Sequence, residues 1–217
     1  VLPREPWPAR PPAMTETPQI YLLTPPQLDP ESFAGSLAGI LARHAVACLR
    51  LTAAGQDADA LARAAATCRE IAHARDIPLV IATHSQLVQR LGLDGVHLHD
   101  ARGLRDLRRD FGPAPIIGAS AGASRHDGMA AGEAGADYIT FGPVGETGLG
   151  APALAEAELF AWWSEMIEVP VVAEGGLTPD LITALAPITD FFAIGPEIWH
   201  RDDPMAALAQ LIAPLAR

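Results

Sequence analysis

The sequence predicts a single α/β domain, a (β/α)8 or TIM barrel, over residues 19–217. Three observations carry this. From Gln19 onward, short β-branched or aromatic runs alternate with longer alanine- and leucine-rich stretches. About eight such units occur, roughly two dozen residues apart, which is the repeat of one strand and one helix. The strand candidates are also nearly continuous in apolar character, as expected of parallel strands covered on both faces. An open doubly wound sheet is the structural rival. Eight units within about 200 residues, and no nucleotide-binding glycine fingerprint after the first strand, favour the closed barrel.

Each element has its own signal. The strand candidates are Ile20–Leu23, Val46–Leu51, Leu79–Ala82, Gly95–Leu98, Ile116–Ala119, Tyr138–Phe141, Val171–Ala173 and Phe191–Ile194. Between them, Glu31–His44, Ala58–Arg75, Leu104–Phe111, Arg125–Ala134, Ala153–Ile167, Pro179–Leu185 and Pro204–Leu215 read as helices. Asp29-Pro30 and Thr178-Pro179 each place a capping side chain before a proline suited to the first helical turn. Asp94-Gly95 and Gly135-Ala136-Asp137 read as tight turns into the fourth and sixth strands. The third and fourth strands begin only about sixteen residues apart, leaving room for about two helical turns.

Composition narrows the function classes. The net charge is −11, with 15 Lys and Arg against 26 Asp and Glu, and no basic run occurs. The summed field therefore opposes nucleic acid and anionic membrane as partners. Cys48 and Cys68 fall on a strand and a helix candidate, form no disulfide framework and fit a reducing cytoplasm. Residues 1–18 carry Pro3, Pro6, Pro8, Pro11, Pro12 and Pro18 and read as an extended arm. They lack the apolar centre of a signal peptide, and Met14 is the expected biological start.

In a barrel of this kind the ligand meets the carboxyl ends of the strands and the loops beyond them. Gly175-Gly176 after the seventh strand, with Ile194-Gly195 ending the eighth, read as a phosphate cradle, although glycines also simply turn a chain. Glu174 and Glu197 beside that cradle oppose an anion unless they serve another purpose. Arg50 ends the second strand in an apolar run, where it must face the pocket or pair with a carboxylate. His97 and His99 are two apart on one strand and so are expected on one face. Asp100 and His84 are the nearest candidate third ligands, neither at a compelling spacing, so no metal site is assigned. Ser120 ends the fifth strand as a donor to phosphate. Gly145–Gly150 reads as a lid or a plain loop. Trp162 and Trp163 read as packing or as the contact of a homodimer.

Several segments together resemble thiamine phosphate synthase and its thiazole tautomerase relative. They are Tyr21-Leu22-Leu23-Thr24, Asp94-Gly95-Val96-His97-Leu98, Ile117-Gly118-Ala119-Ser120, the run from Gly135 to Val144, and the run from Pro170 to Leu177. The resemblance implies a barrel that joins a pyrimidine pyrophosphate to a thiazole phosphate, with Mg²⁺ and release of pyrophosphate. It implies phosphate contacts at Ser120, Gly175, Gly176, Ile194 and Gly195, and substrate contacts at Tyr21 and Thr147.

The sequence also departs from that pattern. Where the family carries glutamine, arginine and lysine at alternate positions of the second strand, this chain has Cys48, Arg50 and Thr52. Ala82-Thr83 replaces an asparagine–aspartate pair, and Arg102 falls where a metal-binding aspartate is expected, with Asp100 close by. Thr147 is kept, but the lysine that should follow it is not. The catalytic histidine of the tautomerase branch is Gly122 here. These losses predict inefficient synthesis, because Mg²⁺ and charge stabilisation are what make pyrophosphate a good leaving group. Three readings follow. The chain is a synthase-like transferase on a phosphorylated thiamine precursor, with Arg50 steadying the anion; an isomerase moving protons through His84, His99 or Glu174; or a catalytically silent binder of a phosphorylated small molecule.

Overall fold

The computed structural model describes residues 17–52, 57–147 and 152–216. All but the last two residues of the expected arm lie outside these ranges, as does part of the glycine-rich loop, residues 148–150.

The elements follow in order as β1 (Gln19–Leu23), α1 (Pro30–Arg43), β2 (Val46–Leu51), α2 (Ala58–His73), β3 (Leu79–Ala82) and α3 (Leu87–Leu91). They continue with β4 (Gly95–Leu98), α4 (Leu104–Phe111), β5 (Ile116–Ser120), α5 (Arg125–Glu133), β6 (Tyr138–Phe141) and α6 (Ala157–Met166). The last are β7 (Val171–Glu174), α7 (Pro179–Leu185), β8 (Phe191–Ile194), α8 (Pro196–Trp199) and α9 (Pro204–Leu211). Each strand pairs in parallel with the next, and β8 returns to β1 to close the barrel. The expected (β/α)8 architecture is what the chain adopts.

Strand alternation sorts the core into two layers. Tyr21, Cys48, Val80, Ile116, Tyr138, Val172 and Phe191 fill the interior. Leu22, Leu49, Ile81, Ile117, Ile139, Phe141 and Phe192 face outward and pack under the helices. Each fully buried side chain of this size contributes roughly 1.5–3 kcal/mol. The interior is tight enough to dictate a glycine. A Cβ at Gly118 would lie 2.0 Å from Cζ of Tyr138, so the tyrosine ring occupies the space that glycine leaves.

The helix starts follow the sequence signals. Asp29 accepts from the Ser32 N–H at 3.0 Å ahead of Pro30, and Thr178 accepts from the Leu181 N–H at 3.2 Å ahead of Pro179. Where boundaries differ from expectation there is a local cause. α2 stops two residues early because the chain turns through Asp76 at a φ of 57°. α6 starts at Ala157 rather than Ala153, because the preceding segment is tied to the loop after β6 by the Ala155 N–H donating to the Pro143 carbonyl at 2.8 Å. α9 ends at Leu211, and Pro214 confines the remainder to a 3₁₀ turn, Ala213–Leu215.

The amino ends of the strands are held by a repeated device. Asp94, Asp137 and Asp190 precede β4, β6 and β8. Their carboxylates accept the N–H of Leu79, Ile117 and Val171 at 2.7, 2.7 and 2.8 Å. Each aspartate also donates its own N–H back to the carbonyl of the same residue. Arg108 adds a second clamp there, donating to the carbonyls of Gly112, Pro115 and Gly135 and to Asp137. This end of the barrel is spent on stability, leaving the opposite end for chemistry.

Candidate functional site

The carboxyl ends of β2 and β7 bring Arg50 and Glu174 together, Nη2 donating to Oε2 at 2.8 Å. Arg50 keeps only 5 % of its surface exposed, and its guanidinium lies over the Tyr21 ring, 5.5 Å from the centroid. Burial opposes its charge, but the Glu174 carboxylate outweighs this and holds the group above the usual arginine range. Its Nε and Nη1 have no hydrogen-bond partner among the described residues. A buried donor left unmade costs about 1–3 kcal/mol, so the barrel carries a fixed cation with two donors to spare. Of the two alternatives open at Arg50, the carboxylate pair is formed, and the side chain keeps donors free besides.

A second cluster runs across β1, β4, β5 and β6. The hydroxyls of Tyr21 and Tyr138 are 2.5 Å apart, and Tyr138 Oη lies 3.0 Å from Nδ1 of His97. Nε2 of His97 is 3.0 Å from Ser120 Oγ, which is 2.9 Å from Thr140 Oγ1. Burial, and then the charge on Arg50, press the His97 pKa well below its ordinary value, so its imidazole is neutral. A neutral ring donates from one nitrogen and accepts at the other, which makes this a directed chain of hydrogen bonds ending in the Ser120 and Thr140 hydroxyls. Burial likewise raises both tyrosine pKa values, keeping the hydroxyls protonated.

The remaining sequence candidates are placed as follows. Tyr21 is fully buried, so it reaches the site through Tyr138 and Arg50 rather than by offering surface. His99 lies beyond β4 with its side chain 73 % exposed, 3.4 Å from Asp100, and is near enough for its charge to act on the buried His97. His84 is half-buried with Nδ1 2.9 Å from the Ala82 carbonyl, next to Thr83, whose φ is 62°. Thr52 is bound to Thr24, its N–H donating to Oγ1 at 3.0 Å and its hydroxyl to the carbonyl. Thr147 is exposed, and Ile194 is wholly buried against the helices, so only its backbone is available to a ligand.

The glycine cradle has a structural duty. Gly175 and Gly176 have φ values of 84° and 71°. A Cβ at Gly176 would come within 2.6 Å of the Gly145 backbone, and one at Gly175 within 3.1 Å of Pro143. The missing side chains therefore let the loop after β6 pack on the loop after β7. Glu197, the second residue of α8, reaches back to this region. Its Oε2 accepts the Gly195 N–H at 3.0 Å, and its Oε1 accepts the Leu177 N–H at 3.3 Å.

The Mg²⁺ that the resemblance implies finds a poor donor set. The Asp100 carboxylate is already held by Arg102, from Nη2 at 2.5 Å and Nε at 2.8 Å. These bonds also lower its pKa. Among the described residues, no three of His, Cys, Asp or Glu converge to hold a metal ion.

A family model described as thiamine monophosphate synthase matches residues 20–193. The chain belongs to the thiamine monophosphate synthase family. Within it, the chain is 39% identical over 195 residues to a thiamine-phosphate synthase of Rhodospirillum centenum, covering 88% of this chain and 94% of that one. It is 37% identical over 215 residues to the Erythrobacter litoralis thiamine-phosphate synthase, covering 93% and 99%. A thiamine phosphate pyrophosphorylase from Pyrococcus furiosus shares the fold, with a TM-score of 0.77 at 21% identity over 91% of this chain and 95% of that one. The resemblance read from the strand-end segments is thus a family relationship.

Sequence reasoning left Tyr138 out of the site and gave Thr140, at the end of its strand, no role. Their signal was a polar atom at inward positions of an otherwise apolar strand. His97 was noticed, but not its hydrogen-bond partners, which lie 23 and 41 residues away.

Proposed function

We propose that this chain acts as a thiamine-phosphate synthase, binding a phosphorylated thiazole at the strand carboxyl ends and transferring a pyrimidine to it from its pyrophosphate. The observation that carries this reading is Arg50, a buried guanidinium kept charged by Glu174 with two donors still unused. In such a transfer the leaving pyrophosphate gains negative charge, and a preorganised cation in a low-dielectric site stabilises that change. Glu174 offsets the charge of Arg50 before the ligand arrives, which resolves the apparent conflict of a carboxylate beside an anion site. The His97 chain presents the Ser120 and Thr140 hydroxyls at the ends of β5 and β6 in an orientation set by buried neutral groups. Of the charge stabilisation such a transfer needs, Arg50 supplies the part this chain's own side chains provide.

The test is turnover of the purified chain with the pyrimidine pyrophosphate and thiazole phosphate, followed by chromatography for thiamine phosphate. Product is expected, and Arg50→Ala is expected to lower kcat/KM by about a hundredfold, the loss typical of one oriented charge-stabilising donor. Binding of thiazole phosphate with no product would replace the synthase reading by that of a phosphate-ester binder.

A further inference from the structure

We infer that Glu197 is a specificity-determining residue of the barrel mouth. Its carboxylate, as an internal anion, occupies the two backbone amides that receive a ligand's phosphate, so phosphate binds by exchange with it. This rests on the phosphate-ester reading above.

The geometry has three parts. Leu177 follows the glycine pair after β7 and Gly195 follows β8, so the single Glu197 carboxylate spans the two loops between which barrels of this fold commonly hold phosphate. α8 has only four residues, so the attraction comes from the two N–H groups themselves. Finally, the carboxylate has somewhere to go. Glu197 borders a cleft of about 530 Å³ that Arg201 also lines, while Ile198 is fully buried and anchors the backbone as the side chain swings.

The chemistry of exchange selects the ligand. A carboxylate offers two oxygens and one charge, whereas a phosphate monoester offers three oxygens and about −1.5 to −2 charges. A ligand carboxylate that displaces Glu197 exchanges like for like and gains nothing. A phosphate gains both charge and a third acceptor. The occupied cradle therefore excludes carboxylates and admits phosphate, and every bound phosphate is weakened by the fraction of time the amides are already filled.

The test titrates inorganic phosphate and acetate into the full chain and its Glu197→Ala and Glu197→Gln variants. Affinity is read by calorimetry and the Leu177 and Gly195 amides by NMR. In the wild type, phosphate is expected to shift both amides and acetate neither. In Glu197→Ala, phosphate is expected to bind about tenfold more tightly, and acetate to shift the same amides and compete with it. Glu197→Gln keeps the packing and should move phosphate affinity in the same direction. Unchanged or weaker phosphate binding in folded variants would overturn the inference. So would wild-type amides that stay still at saturating phosphate, a readout that needs no variant. Thiamine phosphate formation is judged separately: tighter phosphate binding with no product would keep the exchange and remove the synthase reading, while product without exchange would do the reverse.

Discussion

His97 ties function to folding at the level of one proton. Burial first, then Arg50 and His99, depress its pKa well below its ordinary value near 6.5. At a pH just under 6.5 the unfolded chain therefore binds a proton that the folded chain refuses. The stability contributed by neutral His97 is fully present above pH ~6.5 and falls as pH drops, by up to ~1.4 kcal/mol per unit, until the folded pKa is reached. Glutamine has no such proton to bind. The stability gap between wild type and His97→Gln, from urea melts, is expected to shrink between pH 7.5 and 5.5; a constant gap would mean that His97 is not held neutral. Arg50 and Glu174 allow a second test at this scale. Removing the carboxylate in Glu174→Ala strands a buried guanidinium, at a cost of about 3 kcal/mol, the lower end for broken buried pairs because Glu174 is partly in water. Inorganic pyrophosphate should then raise the melting temperature of the variant more than that of the wild type, since it supplies the missing counter-charge.

At the scale of elements, the amino and carboxyl ends of the barrel can be separated by mutation. Asp190 receives the Val171 N–H and serves the end away from the site. Asp190→Ala is expected to lower stability by roughly 1.5–3 kcal/mol, the range for a hydrogen bond to a charged group, while leaving kcat/KM for thiamine phosphate formation unchanged. A matching fall in turnover at temperatures where the variant stays folded would show that the two ends are coupled. The same scale explains what could be read in advance. The strands were legible because each is a short apolar run closed by turn residues, and Val46–Leu51 and Tyr138–Phe141 fall where the pattern put them. α3 was legible only as a gap of about two helical turns, since its five residues carry no helical period. Ala153–Glu156 has helical composition, yet its backbone is committed to the loop after β6. The site was half legible for a related reason. Arg50, Glu174 and Ser120 announce themselves as polar groups ending apolar strands. That Arg50 meets a residue 124 positions away, or that Glu197 turns back onto two amides, follows from barrel closure, which no local pattern encodes.

For the whole molecule, the sign of the net charge and the sign of the ligand are the same. The chain carries −11, and its proposed ligands are phosphate and pyrophosphate esters. Arg50 attracts them only at short range, and Glu174 already offsets part of that attraction. An approaching anion therefore meets a repulsive far field before it feels the site. At about 0.01 M ionic strength that field extends ~30 Å, and at 0.15 M only ~8 Å. Screening should thus help association, the reverse of the behaviour of electrostatically steered complexes. The association rate of thiazole phosphate, followed by stopped flow, is expected to rise roughly two- to fivefold between those ionic strengths. The dissociation rate, governed by the Arg50 donors and the strand-end amides at contact distance, should change much less, because buried interactions are weakly screened. A rate that falls as salt is added would show that the barrel mouth presents a positive field of its own, strong enough to overcome the acidic body around it.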